Sequence, residues 1–218
     1  MTAAELRTRF DIELDAVASA AAPGFTNDEV SQLLTKAQDM LIQSYVGSKD
    51  FNAIYTLVET VETQNISAYT EYGGKCSYIS LNAEFADFNY YVSSRLRTTR
   101  TYPTIIAGIV PCELIERNDI GKFISSGFNT PYFKTPKVLF EYYKNSSIPI
   151  IIILADAYSN VPTDQFEMTY VRTPADIDID GSVTSELPDN LHKDVVSLAV
   201  QEAVKSLYIS KTPQTPRQ

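Results

Sequence analysis

The sequence predicts an α+β protein in which helices and strands occupy separate stretches of the chain. Apolar residues recur at helical spacing in the first third and again after residue 190. Between these stretches Tyr, Phe, Ile, Val and Thr are frequent, and Gly and Pro interrupt them at short intervals. We therefore expect an antiparallel helical bundle, made of N-terminal helices and a long C-terminal helix, with an inserted antiparallel β-sheet or sandwich.

Residues 1–65 are predicted to form the N-terminal helical part of the bundle. Two capping boxes, Thr2–Glu5 and Thr26–Glu29, mark helix starts. Gly47 is expected to end the second helix in the left-handed conformation, and residues 51–61 are expected to form a third, shorter helix. The apolar stripes of the first two helices are Leu6, Phe10, Leu14 and Val17, then Val30, Leu34, Ala37, Leu41 and Tyr45.

Residues 66–173 are predicted to form a β-rich insertion. Five strands are expected, at 88–96, 104–110, 138–143, 150–154 and 166–171. A hairpin loop is expected at 145–147, and a short helix is expected within 112–124. The lack of helices between the strands favours an antiparallel arrangement.

Residues 174–208 are predicted to form an acidic loop and the long C-terminal helix that completes the bundle. Apolar residues cover more than one face of this helix, so either its own bundle or a neighbouring subunit buries it on several sides. Residues 209–218 are expected to form an extended tail. The candidate bundle or oligomer residues are Leu191, Val195, Leu198, Ala199, Val204 and Leu207, and the candidate partner-binding tail residues are Lys211, Pro213, Pro216 and Arg217.

Composition narrows the function classes. The 218 residues carry 18 Lys and Arg against 27 Asp and Glu, a net charge of −9, which argues against a general nucleic-acid-binding module. Residues 1–65 carry a net −6, residues 66–173 zero and residues 174–218 −3. The longest apolar run, 148–155, is too short for a membrane span.

No catalytic motif is present, so an enzyme is not expected, although a hydrolase that uses only carboxylates stays open. The single histidine, His192, is expected to be a packed or capping side chain. Cys76 and Cys112 are expected to be small buried apolar residues. No cofactor is expected.

Asp176, Asp178 and Asp180, followed by Gly181, match the first half of a calcium loop. They are the candidate ligands if a divalent cation binds. The twelfth position is Leu187 instead of the bidentate Glu that such a loop needs, so we expect an acidic turn and no metal.

Two further clusters are candidate contact sites. Arg95, Arg97 and Arg100 are the only basic cluster, and a solvated strand edge, a phosphate contact or an acidic protein partner would each explain it. In the pairs Tyr90-Tyr91 and Tyr142-Tyr143, adjacent strand residues point to opposite faces, so one of each pair is expected at a surface. Such tyrosines serve either a protein contact or the margin of a core.

The layout resembles that of the head-to-tail connector proteins of tailed bacteriophages, also called adaptor or ring proteins. The resemblance is carried by MTYVRTP at 168–174, SELPDNLH at 185–192 before an apolar helix, and PGF at 23–25 followed by LLTKAQ at 33–38. The ring proteins of crAss-like phages are the most similar.

This resemblance implies a structural virion protein that is assembled in the host cytoplasm as a ring, usually of twelve copies. The implied partners are other copies of the chain, the portal protein, which the tail reaches, and neighbouring connector proteins. Genomic DNA would pass through without specific binding, and no membrane is involved. A more distal tail-tube or stopper ring, and a β-sandwich binding module on a helical stalk, are the alternatives.

Overall fold

A computed structural model describes residues 1–18, 24–69, 76–100, 106–125, 136–142, 147–154 and 165–211. The protein is α+β, as predicted, with helices and two β-sheets. The chain divides into two compact units. We call Met1–Val58 with Pro174–Gln218 the helical unit, and Glu59–Thr173 the β unit. Residues 59–65 belong to the β unit, so the predicted boundary of the helical part at residue 65 is wrong.

The helices are α1 (Ala3–Ala18), α2 (Asn27–Ser48), α3 (Leu81–Glu84), α4 (Ile120–Ser125) and α5 (His192–Lys211). The strands are β1 (Val58–Thr63), β2 (Ser67–Tyr69), β3 (Cys76–Ser80), β4 (Phe88–Arg100), β5 (Ile106–Pro111), β6 (Glu113–Leu114), β7 (Lys137–Tyr142), β8 (Pro149–Leu154) and β9 (Gln165–Arg172). Short 3₁₀ turns occupy Tyr55–Leu57, Arg117–Asp119 and Asp189–Leu191.

Both predicted capping boxes form. The Glu5 N–H donates to Thr2 Oγ1 at 3.2 Å, and the Thr2 N–H donates to Glu5 Oε2 at 2.8 Å. The same reciprocal pair joins Thr26 and Glu29 at the start of α2, and the backbone bond from Thr26 lowers the pKa of Glu29. Each box satisfies backbone donors that a helix start otherwise leaves free.

The end of α2 differs from the prediction. Gly47 lies inside the helix, and Lys49 takes the left-handed conformation at φ 58° and ψ 27°. Its N–H reaches back to the carbonyl oxygens of Tyr45 and Val46. The helix therefore ends two residues later than the glycine suggests.

The predicted third helix at 51–61 is wrong. One 3₁₀ turn at Tyr55–Leu57 buries Leu57 and is followed directly by β1. The segment VETVET carries a β-branched side chain at four of its six positions, which suits a strand. The segment therefore forms a strand that pairs with β9, although a few of its apolar residues have helical spacing.

Helix α5 lies against both α1 and α2. Its buried side chains are Val195, Val196, Ala199, Val200 and Ala203, together with Leu191 just before it, while Leu198, Val204 and Leu207 are half-buried. The expectation that the extended tail begins at residue 209 is wrong, because α5 continues to Lys211. Pro213, Pro216 and Arg217 lie outside the described residues.

The β unit holds a four-stranded sheet of order β1-β9-β4-β5 and a five-stranded sheet of order β2-β3-β8-β7-β6. The five predicted strands correspond to β4, β5, β7, β8 and β9. Residues 104, 105 and 143 of two of these predictions, and 145 and 146 of the predicted hairpin loop, lie outside the described residues. Strands β1, β2, β3 and β6 were not predicted.

The expectation of purely antiparallel pairing is wrong at one position. Strand β6 pairs with β7 in parallel at Glu113 and Lys137, whereas β7 pairs with β8 in an antiparallel register. One residue, Cys112, separates β5 in one sheet from β6 in the other. The chain therefore enters the edge of the second sheet directly, and no hairpin turn sets its direction.

The two sheets share one buried core, which includes Leu96 of β4, Ile151 and Ile153 of β8, and Phe166 and Met168 of β9. A second buried cluster covers the other face of β8. Its members include Tyr69, Cys76, Ile115, Leu139, Ile150, Ile152 and Leu154. Since β8 is buried on both faces, its sequence is a continuous apolar run without alternation.

Candidate functional site

The three aspartates of the calcium-like motif do not converge. Asp178 Oδ1 accepts a hydrogen bond from the Gly181 N–H at 2.9 Å, and Asp180 Oδ1 accepts one from Asn27 Nδ2 at 2.6 Å. The described part of the chain contains no group of three His, Cys, Asp or Glu side chains placed to hold a metal ion. Asp176 instead raises the pKa of Asp39, second to the effect of burial.

The backbone of this motif is attached to α2. The N–H of Ile177 donates to Thr35 Oγ1 at 3.0 Å, and the N–H of Ile179 donates to Ser31 Oγ at 3.1 Å. Ile177 is buried. The motif therefore supports a structural connection in the helical unit.

His192 is the first residue of α5, is 3% exposed, and contacts residues on both sides of its ring. Its Nδ1 lies 2.7 Å from the amino group of Met1, and its Nε2 lies 2.9 Å from the carbonyl oxygen of Leu187. An ammonium only donates, so Nδ1 accepts and Nε2–H donates to Leu187. This network assigns a packing and capping role to the ring.

The basic cluster is not on a sheet edge. Strand β4 lies between β9 and β5, so the interpretation of these arginines as edge protection is wrong. Arg95 lies 3.7 Å from Glu167 of β9, and Arg97 is exposed two residues further along. The side chain of Arg100 lies outside the described set.

The tyrosine pairs lead to a groove in the β unit. Tyr142 is 65% exposed, Tyr90 and Tyr91 are half-buried, and Tyr143 lies outside the described residues. Three of these tyrosines line a groove of about 550 Å³. We call it the aromatic groove and define it by Phe88, Tyr90, Tyr91, Phe140, Tyr142 and Pro149.

Aromatic contacts hold the floor of this groove in place. The rings of Phe88 and Phe140 stack with centroids 5.3 Å apart, and Tyr91 meets Phe140 edge-on at 5.5 Å. The hydroxyl groups of Tyr91 and Ser94 lie 3.0 Å apart, and burial raises the pKa of Tyr91. The floor is thus a packed surface that is formed in advance of any ligand.

Polar side chains surround the same groove. Arg117 forms an ion pair with Glu141 at 3.0 Å. Asn82 and Asn89 line the groove, and their carboxamides have no hydrogen-bond partner among the described residues. The sequence signalled this site only through the closely spaced aromatic residues of β4 and β7, which come together across the two sheets.

The helical unit has a second groove, between α1 and α5. It measures about 470 Å³, and its apolar lining is Ala16, Val17, Val200 and Val204. We call it the helical groove. Val17 was expected in the buried stripe of α1 but is 64% exposed, and Ile12 on the same helix is equally exposed. The chain's own packing thus leaves apolar side chains of α1 in solvent.

Charge is unequal between the units. The helical unit carries 8 basic and 15 acidic residues, a net −7, and the β unit carries 10 and 12, a net −2. Glu202 of α5 pairs with Lys205 at 2.6 Å and with Lys36 of α2 at 2.5 Å. Hydrogen bonds from these lysines lower the pKa of Glu202 to about 2.

Comparison of the sequence with family models and with curated proteins finds no match. In the described part of the chain, no helix has both the length and the apolar character that crossing a membrane requires. Function is therefore inferred from the surfaces of the two units.

Proposed function

We propose that this chain is a structural virion protein that forms an oligomeric ring in the head-to-tail connector of a tailed bacteriophage. The observation that carries the proposal is the exposure of Val17, which lines the helical groove, together with that of Ile12 elsewhere on the same helix. Apolar side chains left in solvent next to an apolar groove mark a protein contact. A second copy of the chain covers this face, and repetition of the same head-to-tail contact closes a ring by rotation.

The proposed architecture is an antiparallel bundle of α1, α2 and α5 with an inserted β-sandwich. It is supported by the contacts of α5 with both other helices and by the core to which the two sheets contribute. In the ring the helical units surround the channel. The partners are other copies of the chain, the portal protein and neighbouring connector proteins.

The charge of the helical unit supports a channel that DNA passes without binding. Tight DNA binding depends on Lys and Arg that neutralise phosphates and release counterions. A net charge of −7 per helical unit, repeated around a ring of twelve copies, would repel phosphates.

Mass in solution, measured by native mass spectrometry with and without the portal ring of the same virion, tests this proposal. We expect closed-ring stoichiometry in at least one of the two conditions. Val17→Asp is expected to abolish the ring, because a carboxylate would be desolvated at the interface. Gln43→Asp, at an exposed position of α2, is the matched control and leaves the mass unchanged.

A monomer in both conditions overturns the proposal. A ring that forms from Val17→Asp as readily as from the wild type overturns the assignment of the helical groove to the interface. Thermal unfolding of each variant, measured alongside, shows that loss of the ring is not loss of the fold. A ring that forms alone and does not bind the portal favours a tail-tube or stopper position.

The aromatic groove favours one second candidate, a β-sandwich binding module on a helical stalk. Tyrosine rings provide stacking platforms for sugars, and the free carboxamides provide polar contacts. A glycan screen with Tyr142→Ala as the control discriminates this candidate, because specific sugar binding would depend on the exposed ring.

A further inference from the structure

We infer that the aromatic groove binds the proline-containing segment at residues 212–217 from a second copy of this chain. The inference rests on the proposed function, since a ring supplies the second copy. The ligand class is a short peptide with two prolines spaced three residues apart.

The sequence offers one segment of this kind. Pro213 and Pro216 are the only two prolines spaced three residues apart among the 11 in the chain. A peptide bound in the polyproline II conformation has three residues per turn, so prolines at this spacing present their rings on one side. The segment follows directly after Lys211, the last residue of α5.

The floor of the groove is suited to proline rings. Phe88 and Phe140 form a stacked, prearranged surface, and Tyr142 projects beside it with 65% of its area in solvent. Aromatic-lined grooves bind proline-rich segments because the segment is already extended and loses little entropy on binding. A rigid floor lowers the same entropy cost on the protein side.

The polar groups match the backbone of such a segment. Polyproline II has no internal hydrogen bonds, so its carbonyl oxygens are free to accept. Asn82 and Asn89 line the groove, and their carboxamides have no hydrogen-bond partner among the described residues, so they are able to donate. Binding therefore depends on the aromatic rings and on hydrogen bonds to the carbonyl oxygens.

The contact is heterologous, because each copy supplies one groove and one segment. In a ring every groove is then filled by the segment of a neighbour. The rotation that relates neighbouring copies at the helical interface also relates them at this contact. The segment acts as a strap between neighbouring subunits.

Titration of a synthetic peptide of residues 209–218 into the chain truncated after Lys211 tests the inference. We expect saturable binding with a dissociation constant below about 1 mM. Alanine at both Pro213 and Pro216 of the peptide is expected to weaken binding by about tenfold or more. Tyr142→Ala in the protein should have the same effect, whereas Tyr55→Ala, at an equally exposed tyrosine of the helical unit, leaves binding unchanged.

Several outcomes overturn the inference. They are the absence of binding at millimolar peptide, equal binding of the alanine peptide, and binding of a glycan at Tyr142 that the peptide does not displace.

Two measurements separate this inference from the proposed function. A ring that assembles equally well from the chain truncated after Lys211, with no peptide binding, overturns the strap and leaves the ring. A chain that binds the peptide but stays monomeric with and without the portal overturns the ring and, with it, the exchange between neighbours.

Discussion

At the scale of single residues, the end of α2 has a lysine in the left-handed conformation and a glycine in the helical one. Lys49 takes a positive φ although it has a Cβ, while Gly47 occupies a helical position with no atom within 4 Å of an added Cβ. A left-handed conformation costs a residue with a Cβ about 1 kcal/mol. Glycine inside a helix costs about as much relative to alanine.

We predict that Lys49→Gly raises the free energy of unfolding by about 1 kcal/mol, and that Gly47→Ala does so by about 1 kcal/mol. Urea denaturation measures both. Lys49→Ala is the control, because it keeps the Cβ and with it the strain. An equal gain from Lys49→Ala would show that the side chain, and not the backbone, is responsible.

Burial explains the chemistry of the two cysteines at the same scale. Cys76 lies in the second cluster of the β unit and has a pKa of about 11, and Cys112 is half-buried beside the shared core and has a pKa of about 12. Desolvation disfavours the thiolate in both cases. Thiols with these pKa values are protonated at neutral pH and are therefore poor nucleophiles.

At the scale of elements, a charged cluster links α5 to α2. Glu202 accepts from Lys205 of its own helix and from Lys36 of α2, and its pKa falls from 4.5 to about 2. A lowered native pKa means that the unfolded chain takes up a proton at a higher pH than the native state does. The contribution of Glu202 is thus present above pH 4.5 and is lost as the pH falls toward 2.

We predict that Glu202→Gln lowers the free energy of unfolding at pH 7, and that its difference from the wild type shrinks as the pH falls from 4.5 to 2. Urea denaturation at a series of pH values measures this. Gln43→Ala, at an exposed and uncharged position of α2, is the control, and its difference from the wild type stays constant over this range. A difference that is constant over this range would contradict an ionic origin.

Pairing between elements also decided two features that local patterns do not encode. The helical spacing at 51–61 was wrong because β1 pairs with β9, and the arginines of β4 lie on an interior strand because β5 covers its other side. Both outcomes depend on which strands become neighbours, and no window of a few residues contains that information.

At the scale of the whole molecule, the unequal charge of the two units has a measurable consequence. We predict that a 30-base-pair DNA duplex is not retarded by the protein in a native gel at 150 mM salt, since a surface with a net negative charge lacks the counterion release that drives binding. A stable DNA complex would contradict a channel that lets DNA slide. The duplex mixed with a basic DNA-binding protein is the positive control for the gel.

The sequence by itself determined the α+β class, both capping boxes, five of the strands and the position of the long apolar helix. These features depend on local spacing and on side-chain chemistry within a few residues. Only the tertiary structure decided that Val17 stays in solvent, that α5 runs on to Lys211 and that Phe88 and Phe140 meet to form a groove. Burial and contact between residues far apart in the chain depend on how the elements pack, and packing is a property of the folded chain as a whole.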